Sequence, residues 1–234
     1  MRIDKYIASV TDYSRAEVKR FIKDGEVCIN ACLATSPKQH IDQGEDSIRL
    51  HDQSLGVLAP RYFMLNKPPN TLCATTDNEQ PTVIDLLDEP NHHKLHIAGR
   101  LDKDTTGLVL ITDDGQWNHR LTAPNKDCFK TYRVTLAEPL SNAAVQQLEQ
   151  GVQLNNEKQL TLPAKVVQIE KTLIELSIQE GKYHQVKRML AAVNNHVTHL
   201  HRQQIGHILL DPSLHVGEYR ALTASEIHGT VENG

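Results

Sequence analysis

The chain has 234 residues, enough for one large domain or two small ones. Lysine and arginine total 25 against 29 aspartates and glutamates, and 39% hydrophobic with 23% charged residues describes a globular chain rather than a disordered one. No apolar run approaches the ~18 residues a membrane span needs, and Met1-Arg2-Ile3-Asp4-Lys5 lacks a signal-peptide core.

Ile3, Tyr6, Ile7 and Val10 follow helical spacing and predict a first helix. Ser14-Arg15-Ala16-Glu17 is a capping box, so a second helix starts at Arg15 and stops before Gly25, with Ala16, Phe21 and Ile22 as core candidates. Arg15, Lys19 and Lys23 recur every four residues and form one basic stripe, with Arg20 nearby. Short strands are expected at Val27–Ile29 and Ser47–Leu50, around turns at Asn30-Ala31 and Gln43-Gly44. Residues 51–60 lack periodicity and read as a linker. Beyond them, strands are expected at Arg61–Asn66, Leu108–Thr112, Thr131–Leu136, Ala164–Glu170, Thr172–Ile178, His196–His201 and Ile205–Leu209. Helical patterns fall at Thr82–Leu87, Gln116–Leu121, Asn142–Gln150 and His184–Val193. Turn-length gaps between strands, without strict βαβ alternation, favour an α+β fold with a mixed, mainly antiparallel sheet.

The acidic balance hides two basic segments. Residues 1–23 carry six basic against three acidic side chains, and residues 181–202 carry Lys182, Lys187, Arg188 and Arg202 with no acid and four histidines. Both suit a polyanionic partner as well as ordinary solvated faces. Cys28, Cys32, Cys73 and Cys128 show no CxxC pairing, which fits free thiols in a reducing cytoplasm.

The densest polar segment is Gly99-Arg100-Leu101-Asp102-Lys103-Asp104-Thr105-Thr106-Gly107-Leu108. It is a loop between two glycines that leads into an apolar strand, a setting that presents catalytic carboxylates but also ordinary capping turns. Asp102, Asp104, Asp113 and Asp114 match no calcium-loop spacing, and His199 with His201 supplies at most half a metal site, so no metal is expected.

That loop, continued through Val109-Leu110-Ile111-Thr112-Asp113-Asp114-Gly115, resembles the signature loop of RNA pseudouridine synthases. The similar subfamily is the one whose type member modifies small-subunit ribosomal RNA. Phe63-Met64-Leu65-Asn66-Lys67-Pro68 resembles the family's first strand, Lys130-Thr131-Tyr132 its tyrosine motif, and Gly181-Lys182-Tyr183-His184-Gln185-Val186-Lys187-Arg188-Met189 its basic helix motif. Residues 1–58 resemble an S4 RNA-binding domain, leaving 59–234 as the catalytic domain. Asn70 departs from the glycine many members carry after the Lys-Pro turn, but asparagine tolerates the left-handed conformation.

The resemblance implies isomerisation of a specific uridine in 16S ribosomal RNA without metal or organic cofactor. The substrate would be the RNA alone or within a partly assembled small subunit, and the enzyme a cytoplasmic monomer with no membrane partner. It assigns Asp102 to the sugar end of the scissile bond, as nucleophile, charge stabiliser or base. Arg188 is expected to orient that carboxylate, Tyr132 to pack on the flipped uracil, and Lys187 to point elsewhere and meet phosphate. Arg100 is a candidate for the vacated stack or a flanking phosphate, and Arg15, Lys19, Arg20 and Lys23 for RNA backbone contact. By strand alternation alone Tyr132 is core, shared with Val134 and Leu136. The alternatives are a synthase for large-subunit rRNA, disfavoured by the lack of a basic tail after Glu226, a non-catalytic rRNA-binding assembly factor, and a metal-dependent nuclease using Asp102 and Asp104.

Overall fold

The structure is a computed structural model and describes residues 1–43, 45–56, 59–122 and 128–229. The chain divides into two compact units, Met1–Ala59 and Pro60–Gly234.

The first unit packs helices α1 (Ile3–Val10) and α2 (Arg15–Lys23) on a sheet of order β2-β1-β3-β4, formed by β1 (Val27–Ile29), β2 (Cys32–Leu33), β3 (Ile48–Leu50) and β4 (Gln53–Leu55). The Ser14–Glu17 capping box is present. The core is Ile3, Tyr6, Ile7, Val18, Phe21 and Ile22 against Val27, Ile48 and Leu50. Ala16, expected inside, is exposed; Val18 shares the buried face with Phe21 and Ile22, being three and four residues from them. Asn30 and Ala31 both take positive φ, as a two-residue hairpin turn requires. His51 and Asp52 do the same and fold Gln53–Leu55 back onto β3, so part of the expected linker is a strand. Gly44, of the expected Gln43-Gly44 turn, lies outside the described residues.

The second unit is built on a nine-stranded sheet. Its elements are β5 (Tyr62–Lys67), β6 (His96–Ala98), β7 (Thr106–Thr112), α3 (Gly115–Thr122), β8 (Lys130–Leu136), α4 (Asn142–Gln150), β9 (Lys165–Glu170), β10 (Leu173–Ile178), α5 (Gln185–Ala192), β11 (Val197–Ile205), β12 (Ile208–Leu209), β13 (Tyr219–Ala221) and α6 (Ala224–His228). The main path runs β13-β5-β7-β11-β8-β10-β9. All pairings between these strands are antiparallel except β7 with β11. The fold is α+β with a mixed, mainly antiparallel sheet.

Every residue of β7 is buried. Val109 and Ile111 join a core that includes Leu65, Tyr132, Val134 and α5 residues Val186, Met189 and Leu190. Leu108 and Leu110 face the other way, with Met64, Trp117 and Leu121. A strand covered on both faces reads as a continuous apolar run, which explains Leu108-Val109-Leu110-Ile111. The expected Ile205–Leu209 strand is the end of β11, a turn at Gly206 and β12. Thr82–Leu87 is not a helix. The Val83 amide donates to Leu72 O, and Thr82 and Asp85 satisfy each other's amides, so a turn presents Val83, Ile84 and Leu87 to the core.

The two sides of the sheet meet along one edge of β7. Strand β11 pairs with Thr106 and Gly107, and β6 takes over from Leu110 onward. The ladder is interrupted between them, and Arg202 of β11 bridges the gap. Its Nε donates to Leu108 O at 2.8 Å and its Nη2 to Gly99 O at 2.6 Å. The site lies at this interruption.

Candidate active site

The loop between β6 and β7 carries Asp102. Gly99 and Gly107 both have positive φ, +82° and +100°. At Gly107 an added Cβ would stand 2.3 Å from the Arg202 carbonyl oxygen, so the close crossing of β7 and β11 requires glycine. Inside the loop the Thr105 amide donates to Asp102 O at 3.2 Å. Below it the Lys67 ammonium, fully buried, donates to the carbonyls of Pro68, Lys103 and Thr105 at 2.8–3.0 Å. Burial pushes that ammonium down from its usual range. Asn70, at φ +62°, donates its amide to Lys103 O, so the departure from glycine keeps the turn. The loop is thus held by Lys67, Asn70 and Arg202, all outside it.

Asp102 keeps about a quarter of its side chain exposed. It meets α5, but not through Arg188. Lys187 Nζ lies 3.1 Å from Asp102 Oδ2, and His184 Nε2 lies 3.4 Å from Oδ1. Lys187 also donates to Asp104 Oδ1 at 2.6 Å, which lowers the Asp104 carboxyl pKa. Burial disfavours the Lys187 ammonium, but hydrogen bonds to Asp104 and Asp102 outweigh it and raise its pKa. Arg188 instead binds Glu157 Oε1, Tyr183 O and Asn155 O. It braces the 155–157 segment against the start of α5. Lys187, expected to point elsewhere, is therefore the cation beside Asp102, and Arg188, expected there, is a brace instead. Adjacent helical residues point about 100° apart, so only one of the two cations can reach the loop. His184 and Lys187, three apart, share the face that does.

The segment before α5 carries a further pair absent from the expected site. His184 adopts φ +47°, and its ring stacks on Tyr183 with centroids 3.8 Å apart. Tyr183 is 76% exposed, unusual for an aromatic ring beside a cleft. The cleft itself encloses about 570 Å³. Asp102, Arg100, Lys130, Tyr132, His184 and Arg202 are among its lining residues. Tyr132 is 7% exposed, with the Arg202 guanidinium 6.0 Å from its ring centre. It is both core and wall, since β8 points it inward where the sheet opens. Arg100 is exposed on the rim.

Arg202 and Lys67 were not singled out by the sequence as holding the loop. The signal was present for Arg202: in His199-Leu200-His201-Arg202 it alternates onto the same strand face as Leu200. A cation on an apolar face implies buried acceptors. His201, on the opposite face, is hydrogen-bonded to Thr106 Oγ1 at 2.9 Å.

The first unit holds the basic stripe. Arg15 donates to Asp4, a fully buried carboxylate that also receives two bonds from Arg2. Burial opposes ionisation of Asp4, but these hydrogen bonds prevail and lower its pKa. Arg15 thus has a structural partner, while Lys19, Arg20 and Lys23 are exposed on α2.

Comparison with known proteins agrees with this architecture. Residues 61–192 match the family described as RNA pseudouridylate synthase, and residues 1–47 match the S4 domain. The chain belongs to the RNA pseudouridylate synthase family and carries an N-terminal S4 domain. It is 52% identical to the ribosomal small subunit pseudouridine synthase A of Escherichia coli K12, over 99% of this chain and all of that one. It is 51% identical to the protein of the same name from Yersinia pestis, over 97% of each. A crystal structure of a pseudouridylate synthase, 46% identical, superposes with a TM-score of 0.72 over 99% of this chain and 100% of that one. Among the described residues no helix is long and apolar enough to cross a membrane.

Proposed function

We propose that this chain converts one uridine of 16S ribosomal RNA to pseudouridine, with Asp102 acting at the anomeric carbon. The observation that carries the reading is Asp102 itself, a carboxylate with Lys187 3.1 Å from one oxygen and His184 3.4 Å from the other, on the wall of a cleft that includes Tyr132. The names of the relatives that are 51–52% identical supply the small-subunit target.

The reaction breaks the C1′–N1 bond, turns the uracil while it is held, and joins C5 to C1′. The C5 proton leaves and N1 gains one, so no external reductant or oxidant is needed. A carboxylate serves the electron-poor sugar by attack, by charge, or by taking a proton. Each role requires an ionised oxygen, and the Lys187 ammonium stands 3.1 Å from Oδ2. A stacked nucleotide hides C1′, so the uridine must swing out of its helix into the cleft. Tyr132 then walls the base, Arg100 takes a flanking phosphate on the rim, and Tyr183 offers its open face to a neighbouring base. Lys19, Arg20 and Lys23 contact RNA backbone and supply affinity without sequence reading. The protein works as a cytoplasmic monomer, on RNA or on a partly assembled small subunit.

The test is pseudouridine mapping of both ribosomal RNAs from a deletion strain complemented with wild type or Asp102→Asn. One small-subunit pseudouridine should vanish on deletion, return with wild type and stay absent with the variant. Its return with Asp102→Asn, or loss from the large-subunit RNA instead, would sink the proposal.

A further inference from the structure

We propose that Lys130 binds the negative charge of the uracil after it has left the ribose. The inference rests on the reading of Asp102 given above and adds a second group to that site.

Lys130 precedes Tyr132 by two residues on β8, so both lie on the inward strand face, and both line the cleft. Its cross-strand neighbours are Ile178 and Ile205. Burial pushes its ammonium pKa down, and the nearby Arg202 adds to that. Lys130 is half-buried, and an ammonium drawn that far from water normally has a carboxylate or a set of carbonyls around it. Lys67 shows that arrangement with three carbonyls. Among the described residues nothing accepts a hydrogen bond from Lys130. The acids in the cleft are already engaged: Asp102 by Lys187 and His184, and Glu180 by Gln185, Leu162 N and Lys182. Burial raises the pKa of the nearby Cys128 thiol, which therefore stays neutral. The fold gains nothing visible from this cation, so the anion it suits is one that forms inside the cleft.

The reaction makes such an anion. When the C1′–N1 bond breaks, its electron pair stays on N1, and the charge spreads over N1, O2 and O4. An ammonium hydrogen-bonded to O2 stabilises that departure and keeps the detached base in place. Turning the ring about its N3–C6 axis exchanges N1 with C5 and also O2 with O4. A cation that met O2 before the turn therefore meets O4 after it, at the same position. Bond formation from C5 to C1′, loss of the C5 proton and protonation of N1 then return the base to neutrality. Phosphate would remain outside on the rim, where Arg100 is exposed, rather than beside a tyrosine that is 7% accessible.

The test compares wild type, Lys130→Met, Lys130→Arg and Asp102→Asn on an rRNA fragment with uridine or 5-fluorouridine at the target. Four quantities are measured: single-turnover loss of the glycosidic bond, RNA affinity, thermal midpoint, and isomer formed. Lys130→Met should slow bond loss on the order of 100-fold, with RNA affinity within about threefold and a thermal midpoint equal to or above wild type. Lys130→Arg should recover part of the rate. The defect should shrink on 5-fluorouridine, because fluorine already stabilises the base anion. A wild-type rate in Lys130→Met overturns the inference and leaves Asp102 standing. So does a defect of equal size on both substrates with a lowered thermal midpoint, which marks a structural lysine. So does weakened RNA binding with an unchanged rate, which marks a phosphate contact. Wild-type activity in Asp102→Asn would instead overturn the reading of the site.

Discussion

Lys187 and Asp102 approach to 3.1 Å across the gap between α5 and the loop before β7. Arg188, one residue further, has its guanidinium on Glu157, Tyr183 and Asn155. The two cations should therefore separate in mutagenesis. Lys187→Met should lower the single-turnover rate about 100-fold or more, with thermal stability nearly intact. Arg188→Met should lose thermal stability first and keep the rate within about tenfold of wild type. Single-turnover kinetics and thermal melts of both variants decide it, and the reverse order would return Arg188 to the carboxylate.

Tyr183 offers a flat, open face beside the cleft. Base–aromatic stacking contributes about 1–3 kcal/mol. Tyr183→Ala should weaken binding of the target RNA about 5- to 100-fold, and Tyr183→Phe should bind like wild type. Equal affinity for all three proteins would remove the ring from the interface.

The α2 stripe should act without Arg15. Replacing Lys19, Arg20 and Lys23 with glutamate should weaken RNA binding and flatten its dependence on salt, since each lost phosphate contact removes about 0.7–0.9 from the log–log slope. Arg15→Glu should instead destabilise the first unit, because it sets a second carboxylate beside buried Asp4. Affinity titrations over a salt series, with melts alongside, distinguish the two effects.

Acid should loosen the segments on either side of β13, which Arg220 ties to Asp211 and Glu226. Hydrogen bonds from Ser213 and then Arg220 lower the Asp211 pKa to about 2, and Arg220 does the same for Glu226, also to about 2. Carboxyls depressed in the folded state stabilise it fully above their unfolded pKa values, near 4, and lose that contribution as pH falls toward 2. Arg220→Met should lower the thermal midpoint at pH 6 and reduce its further change between pH 5 and 2. A variant whose midpoint falls as steeply as wild type over that range would show the cluster contributes nothing.

The sequence made local rules legible and left crossings obscure. The Ser14–Glu17 box and the Asn142–Gln150 helix follow from nearest-neighbour chemistry, and both are present. The Asp102 loop was legible because its glycines and acids are contiguous. What holds it was not: Lys67 and Arg202 lie 36 and 103 residues from the carbonyls of Lys103 and Gly99 that they bind. Val83, Ile84 and Leu87 mimicked a helix because a turn can bury the same residues when the Leu72 carbonyl and the Thr82 and Asp85 side chains satisfy its amides. The choice between Lys187 and Arg188 turned on one helical step, which periodicity locates only when the loop's position is known. Val186, Met189 and Leu190 fix the buried face of α5 but say nothing of which flank Asp102 approaches.

The parallel register of β7 with β11 joins Thr106 to His201, 95 positions apart. On the ribosome that translates it, a growing chain exposes Asp102 while Lys187 and Arg202 are still unmade. Chemistry therefore has to wait for most of the polypeptide to emerge. An unfinished product, released early, would present its acidic loop without the two cations that meet it in the finished fold.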